Sequence, residues 1–305
     1  MNPGKIRDFF CGVPAGPPLF FPRWRGAGVR ENTMPMEISF FNIFQFIVIG
    51  IAVGSVGGFL GVGGGAIMIP LLHYWAFPAM HVSPEVIVHL SFGTSLAIII
   101  PASLSSSWAH ARAGNVSWRL VFLLAVPGLL GSFLGSTMAA LLEGALLRSL
   151  FGSLLIILSM QMLLQKKGPE GAGGHSSSRP LATLIIGLLV GVFSGFFAVG
   201  GGVIAIPLMV RFLGIPIYRA VGISIAFVFF ASLIGTGGYI LNGFGHTHLP
   251  PYALGFVYTP GWVLAGIPSI FLAQWGAQLA HKARPHRLRR AFAVLLMIVG
   301  IRMLF

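Results

Sequence analysis

The sequence predicts an all-α, polytopic transmembrane helical protein with two inverted-topology repeats of about five apolar segments each, every repeat carrying a Gly-rich helix break. Three observations predict it: a composition too apolar for a water-facing surface, apolar runs of membrane length along most of the chain, and one glycine-rich element that occurs twice.

Composition sets the class. The chain is 56% hydrophobic and 8% charged, whereas an ordinary soluble domain is roughly a quarter charged. Its 305 residues hold material for about eight to ten crossing elements of roughly 20 residues each. Only helices and closed barrels satisfy every backbone group in lipid, and these runs are continuously apolar rather than alternating, which selects helices. The net charge of +13 is carried by short Lys/Arg clusters between apolar runs, so it is a topology signal, not a nucleic-acid surface. Cys11 is the single cysteine, which excludes an internal disulfide and a cysteine-built metal site. No cofactor and no metal are expected.

The chain divides at polar segments. Residues 1–33 are rich in Pro, Gly and Arg without the apolar core of a signal peptide, and are expected to be a disordered extension or an unused upstream start before Met34. Apolar segments then run approximately over 38–60, 66–77, 86–108, 118–142 and 146–164, and again over 181–199, 203–214, 220–241, 252–280 and 288–305. Residues 165–180, with Lys166, Lys167, a glycine run and three serines, form a linker between repeat 1 (34–164) and repeat 2 (181–305).

The repeat is visible residue by residue. Gly54–Leu71 aligns without gaps on Gly191–Leu208, sharing the V-G-G-G break and a following I-x-I-P-L. Gly93-Thr94-Ser95 then matches Gly222-Ile223-Ser224, Pro127 and Gly135 match Pro268 and Gly276, and Leu147-Arg148 matches Leu288-Arg289. If all five segments of each half cross, Arg112, Arg119, Lys166, Lys167, Arg179, Arg211, Arg219, Lys282, Arg284, Arg287, Arg289 and Arg290 share the inner side, leaving Arg148 and Arg302 outside. An odd number of crossings per half makes the repeats inverted.

Three successive glycines at membrane depth break a helix. A helix restarting after Gly63, Gly64 and Gly65, or after Gly200, Gly201 and Gly202, presents unpaired N–H groups and its positive dipole end to an enclosed cavity, and an anion is the natural occupant. Pro70 and Pro207 suit the first turn of such a restart. The competing role is close helix packing; matched interruptions in both halves favour a transporter-type site. Thr94, Ser95 and Ser224 are candidate hydroxyl donors to the same anion, or bond back to their own helices. His73, His81 and His89 suit interfacial packing more than substrate contact, and His246 with His248 is too short a pattern for a metal. The complete acid set is Asp8, Glu31, Glu37, Glu85, Glu143 and Glu170, none central in an apolar segment. That disfavours a carboxylate cation site, a proton relay through carboxylates, and an intramembrane enzyme.

These motifs resemble the sulfite exporter TauE/SafE family, also grouped as the 4-toluene sulfonate uptake permeases. The resemblance rests on the duplicated element at Gly54–Pro70 and Gly191–Pro207, on Gly93–Ser95 and on the L-R-x-x-F closing segments. It departs at Ile223, where the first repeat has Thr94. The resemblance implies a multi-pass secondary transporter of the cell membrane for small anions such as sulfite, sulfoacetate or organosulfonates. The partners expected are that anionic substrate and the lipid bilayer, with a homodimer open to the chain and no nucleic acid; the alternative is a non-transporting accessory or assembly protein.

Overall fold

The computed structural model describes residues 39–60, 64–164, 180–280 and 285–305. The N-terminal extension, the linker over 165–179, Gly63 and the basic residues Lys282 and Arg284 therefore lie outside the described residues. Among the described residues the chain is helical apart from one short hairpin.

The first half runs α1 (Phe40–Leu60), α2 (Gly65–Leu71), a π-helical turn (Leu72–Ala76), α3 (Phe77–Ala79), α4 (Pro84–Arg112), α5 (Trp118–Leu141) and α6 (Gly144–Leu164). The second runs α7 (Pro180–Phe197), α8 (Gly202–Leu213), α9 (Ile217–Gly243), a hairpin of β1 (Ala253–Leu254) and β2 (Val257–Tyr258), α10 (Thr259–Ala280) and α11 (Pro285–Leu304). Five of these helices, α4, α5, α6, α7 and α9, are long and apolar enough to cross a membrane, and shorter apolar stretches lie within α1, α8 and α11. Large apolar side chains such as Phe122, Leu130, Ile157 and Phe271 face outward, as a lipid-facing surface requires.

The segments pair across the halves. Helix α1 packs on α10 and α7 on α5, while α4 crosses α9 and α6 runs beside α11. Glycines permit the closest of these contacts. A Cβ on Gly50 or Gly58 of α1 would run into the carbonyls of Ala265 or Ala273 of α10, and one on Gly187, Gly191 or Gly195 of α7 into those of Leu124, Gly128 or Ser132 of α5. Hydrocarbon tails are as apolar as a leucine, so backbone approach through small residues, rather than apolar burial, holds such helices together. Packing is thus the role of the glycines before each break.

The apolar stretch over 252–280 is not one helix. Its first residues fold as the β1–β2 hairpin, with Gly255 at positive φ (56°) in the turn. The hairpin lies against α4 and α9: the Tyr258 amide donates to Thr94 Oγ1 of α4 at 3.0 Å, and the Phe256 amide donates to the Tyr239 carbonyl of α9 at 3.3 Å. Strand and helix segments of this length are alike in apolarity, and partner geometry decides between them.

Candidate functional site

Each break reverses the chain. Gly64 (φ 75°, ψ −10°) and Gly201 (φ 72°, ψ −12°) are the N-caps of α2 and α8 in the left-handed conformation, which costs an L-residue roughly 1–2 kcal/mol. There is no room for a side chain either. A Cβ on Gly201 would stand 2.9 Å from Val190 Cγ1, and one on Gly64 2.5 Å from Val53 Cγ1, so each restart begins alongside the helix that preceded it. The α2 and α8 ladders open with the same pattern, Met68 and Ala205 amides donating to the Gly64 and Gly201 carbonyls at 3.1 and 2.9 Å. No side chain caps either helix, so their first amides are offered to whatever lies in front.

The two breaks lie against each other. A Cβ on Gly65 would fall 2.7 Å from both the Ala198 carbonyl oxygen and Val199 Cα, and Gly200 packs on Val228 of α9. Ala198 itself has a positive φ of 52°, unusual for a residue with a Cβ, and both Ala198 and Val199 are fully buried. Pro70 and Pro207 stand in the second turn of α2 and α8 rather than the first. There each leaves a carbonyl one turn back, on Ala66 or Val203, without the amide that would normally pair with it.

The candidate hydroxyls divide. Thr94 Oγ1 is engaged by the hairpin. Ser95 Oγ donates to the Ala198 carbonyl at 3.2 Å, fastening α4 to the second break. Ser224, at the matching position of α9, is fully buried and its Oγ has no hydrogen-bond partner. Ser194 of α7 and Ser232 and Thr236 of α9 are likewise buried and unpartnered. Ser194 adjoins the break, since a Cβ on Gly201 would lie 3.1 Å from its Cβ. An unmet buried hydroxyl costs about 1–3 kcal/mol, and these four lie on α7 and α9 of the second half. Sequence reading named only Ser224 of this group. Ser232 and Thr236 align with Ser103 and Ser107 in the register that pairs Ser224 with Ser95, and extending that register along α9 is the signal that finds them.

A small cavity stands among α1, α4, α9 and α10, lined by Gly57, Gly58, Ser103, Ser106, Ile225 and Val228 among others. Its volume of about 10 Å³ is the room of a single water. Outside this region, His89 Nε2 lies 2.9 Å from the Leu142 carbonyl and its ring stacks on Phe256 at 5.1 Å. His248 faces Glu85 at 3.6 Å in an exposed pair. The described residues contain no cluster of three or more His, Cys, Asp or Glu able to hold a metal.

Known proteins are similar in sequence over most of the chain. The family model described as "Sulfite exporter TauE/SafE" matches residues 46–303. A probable membrane transporter protein of Haemophilus influenzae is 31% identical over 86% of this chain and 99% of its own length. A probable membrane transporter protein of Methanocaldococcus jannaschii is 28% identical over 85% of this chain and 94% of its own, and YunE of Bacillus subtilis, named in the same words, is 24% identical over 85% and 96%. No solved structure matches the chain significantly.

Proposed function

Because the chain belongs to the sulfite exporter TauE/SafE family of membrane transporters, we propose that it carries small anions, most specifically sulfite, sulfoacetate or organosulfonates, across the cell membrane by alternating access. The substrate sits where the two breaks meet, at Gly64, Gly65 and Gly200–Gly202. The observation that carries this reading is the contact of Gly65 with Ala198 and Val199, set beside the unpartnered hydroxyls of Ser194 and Ser224. Uncapped α8 amides supply N–H donors and a positive dipole end, and the serines supply O–H donors, a set that suits a compact oxyanion.

Charge supports the same class. Among the described residues the acids are Glu85 and Glu143, both exposed near helix starts, so no carboxylate repels an anion at the breaks or recruits a cation there.

The carrier changes shape to work, because Gly65 packs so closely on Ala198 and Val199 that the meeting of the breaks must open to admit sulfite. Two equivalent covers stand over the crossing helices: Gly93 of α4 lies under the Phe256 carbonyl of the hairpin, and Gly222 of α9 under the Asn115 carbonyl of the α4–α5 loop, 2.7 Å from where a Cβ would stand. In the inverted-repeat reading these covers face opposite sides of the membrane, and lifting one while the other stays seated gives alternating access. A paired copy of the chain is compatible with this scheme and is not required by it.

Purified protein in liposomes is expected to move labelled sulfite or a sulfonate down an imposed gradient. Gly64→Leu and Gly201→Leu are each expected to abolish movement while leaving inserted, helical protein by circular dichroism. Undiminished transport in both variants sinks the site assignment.

A further inference from the structure

A cationic cluster stands away from the breaks, at the end of the molecule where α11 finishes. Gly152 of α6 packs against Gly300, Met303 and Leu304 of α11, which brings Arg148, one turn earlier on α6, to the last turn of α11, where Arg302 stands. Tyr74 holds Arg302 from two directions. Its hydroxyl donates to the Arg302 carbonyl at 2.8 Å, and the Arg302 guanidinium carbon lies 4.7 Å from the centre of the Tyr74 ring, a cation–π contact. Arg148 is near enough to act electrostatically on both His73 and Tyr74.

Two polar atoms of this cluster lack a partner. Arg148 Nε is buried without a hydrogen-bond partner, and so is Nδ1 of His73, a side chain only 8% exposed whose ring stands edge-on to Tyr74 at 4.6 Å. Among the described residues no salt bridge joins either arginine to an acid or to the chain's last carboxylate; the one ion pair is His248–Glu85. Leaving a buried guanidinium nitrogen unpaired is costly. His73 lies in the π-helical turn Leu72–Ala76, and such turns recur at functional sites. It is about 12 Å along the helix from Gly65, at 1.5 Å per residue, so the cluster is separate from the breaks.

We propose that His73, Arg148 and Arg302 form a second binding site for a tetrahedral oxyanion, the sulfonate, sulfate or phosphate group of a solute or of a lipid headgroup. The arginine forks match the oxygen geometry of such groups, the imidazole adds one further polar contact, and Tyr74 positions Arg302.

Thermal unfolding of the full chain tests this. The protein is compared in dodecyl maltoside with sodium sulfate or sulfite against chloride at equal ionic strength, and in nanodiscs of phosphatidylcholine with and without phosphatidylglycerol. Stabilisation by sulfate or sulfite in detergent identifies a solute site; stabilisation by phosphatidylglycerol alone identifies a lipid headgroup. In either case Arg148→Gln and Arg302→Gln are each expected to weaken the apparent affinity about tenfold, one lost charge-assisted contact being worth about that factor. Arg302 is exposed, so Arg302→Gln carries the test should Arg148→Gln fail to fold. The site does not depend on the transport reading: Gly201→Leu is expected to stop transport yet retain the part of the stabilisation that Arg148→Gln and Arg302→Gln remove. Equal response of wild type and Arg148→Gln/Arg302→Gln to every anion and lipid overturns the proposal.

Discussion

Ser95 and Ser224 occupy the same place in the two halves and have opposite fates. Ser95 ties α4 to the carbonyl of Ala198 in the second break, whereas Ser224 is equally buried and bonds to nothing among the described residues. The neighbouring position differs in the same sense, with Thr94 holding the hairpin through Tyr258 and Ile223 having no hydroxyl to offer. At these matched positions the first half uses its hydroxyls to fasten the structure, and the second leaves the Ser224 hydroxyl open. A repeat duplicates positions, but a hydrogen bond needs a partner, and the partner comes from elsewhere in the chain.

The comparison can be broken most severely at the glycines that seat the halves. Gly191→Leu drives a side chain into the Gly128 backbone and is expected to prevent stable folding, read as loss of monodisperse protein on size exclusion; Gly58→Leu, against Ala273, is expected to behave alike. Next in size is Gly201→Ala, which adds the left-handed penalty of about 1–2 kcal/mol to a contact with Val190. Its folded protein is expected to transport at least about tenfold more slowly than wild type. Equal losses from Gly64→Ala would show that the breaks work as a pair.

The serines give a difference of sign. Ser95→Ala strands the Ala198 carbonyl and is expected to lower stability by about 1–3 kcal/mol. Ser224→Ala removes an unmet buried hydroxyl, so denaturation should find it no less stable than wild type, while its apparent affinity for sulfite falls. If both serine variants lose stability equally, the two halves are more alike than their hydrogen bonds indicate. The smallest effect is expected from Thr94→Val, about 1 kcal/mol for the hairpin amide of Tyr258, detected as faster amide exchange over 253–258.

Much of this was legible beforehand. The apolar runs located the membrane helices, and the V-G-G-G pattern alone predicts a helix restart after Gly65 and after Gly202, one residue beyond where α2 and α8 begin. The same pattern could not separate glycines that pack from glycines that turn. Gly54 and Gly191 are packed within helices against α10 and α5, whereas Gly64 and Gly201 carry the positive φ. Nor could it see that the run beginning at Tyr252 starts as a hairpin, or that Pro70 and Pro207 sit one turn later than a helix start would place them. The cluster around Tyr74 was out of reach for another reason: His73, Arg148 and Arg302 come from three distant stretches, and only Arg148 and Arg302 shared a sequence signal, their isolation from the other basic residues.

The sequence by itself determined the solvent this protein lives in, the duplication of its elements and the points at which its helices stop, because hydropathy, internal similarity and the conformational freedom of glycine are local properties. Tertiary structure alone decided which hydroxyls are satisfied, which breaks touch and which cations are left unpaired. Those depend on groups brought within about 3 Å of each other across the fold, and no local pattern records that distance.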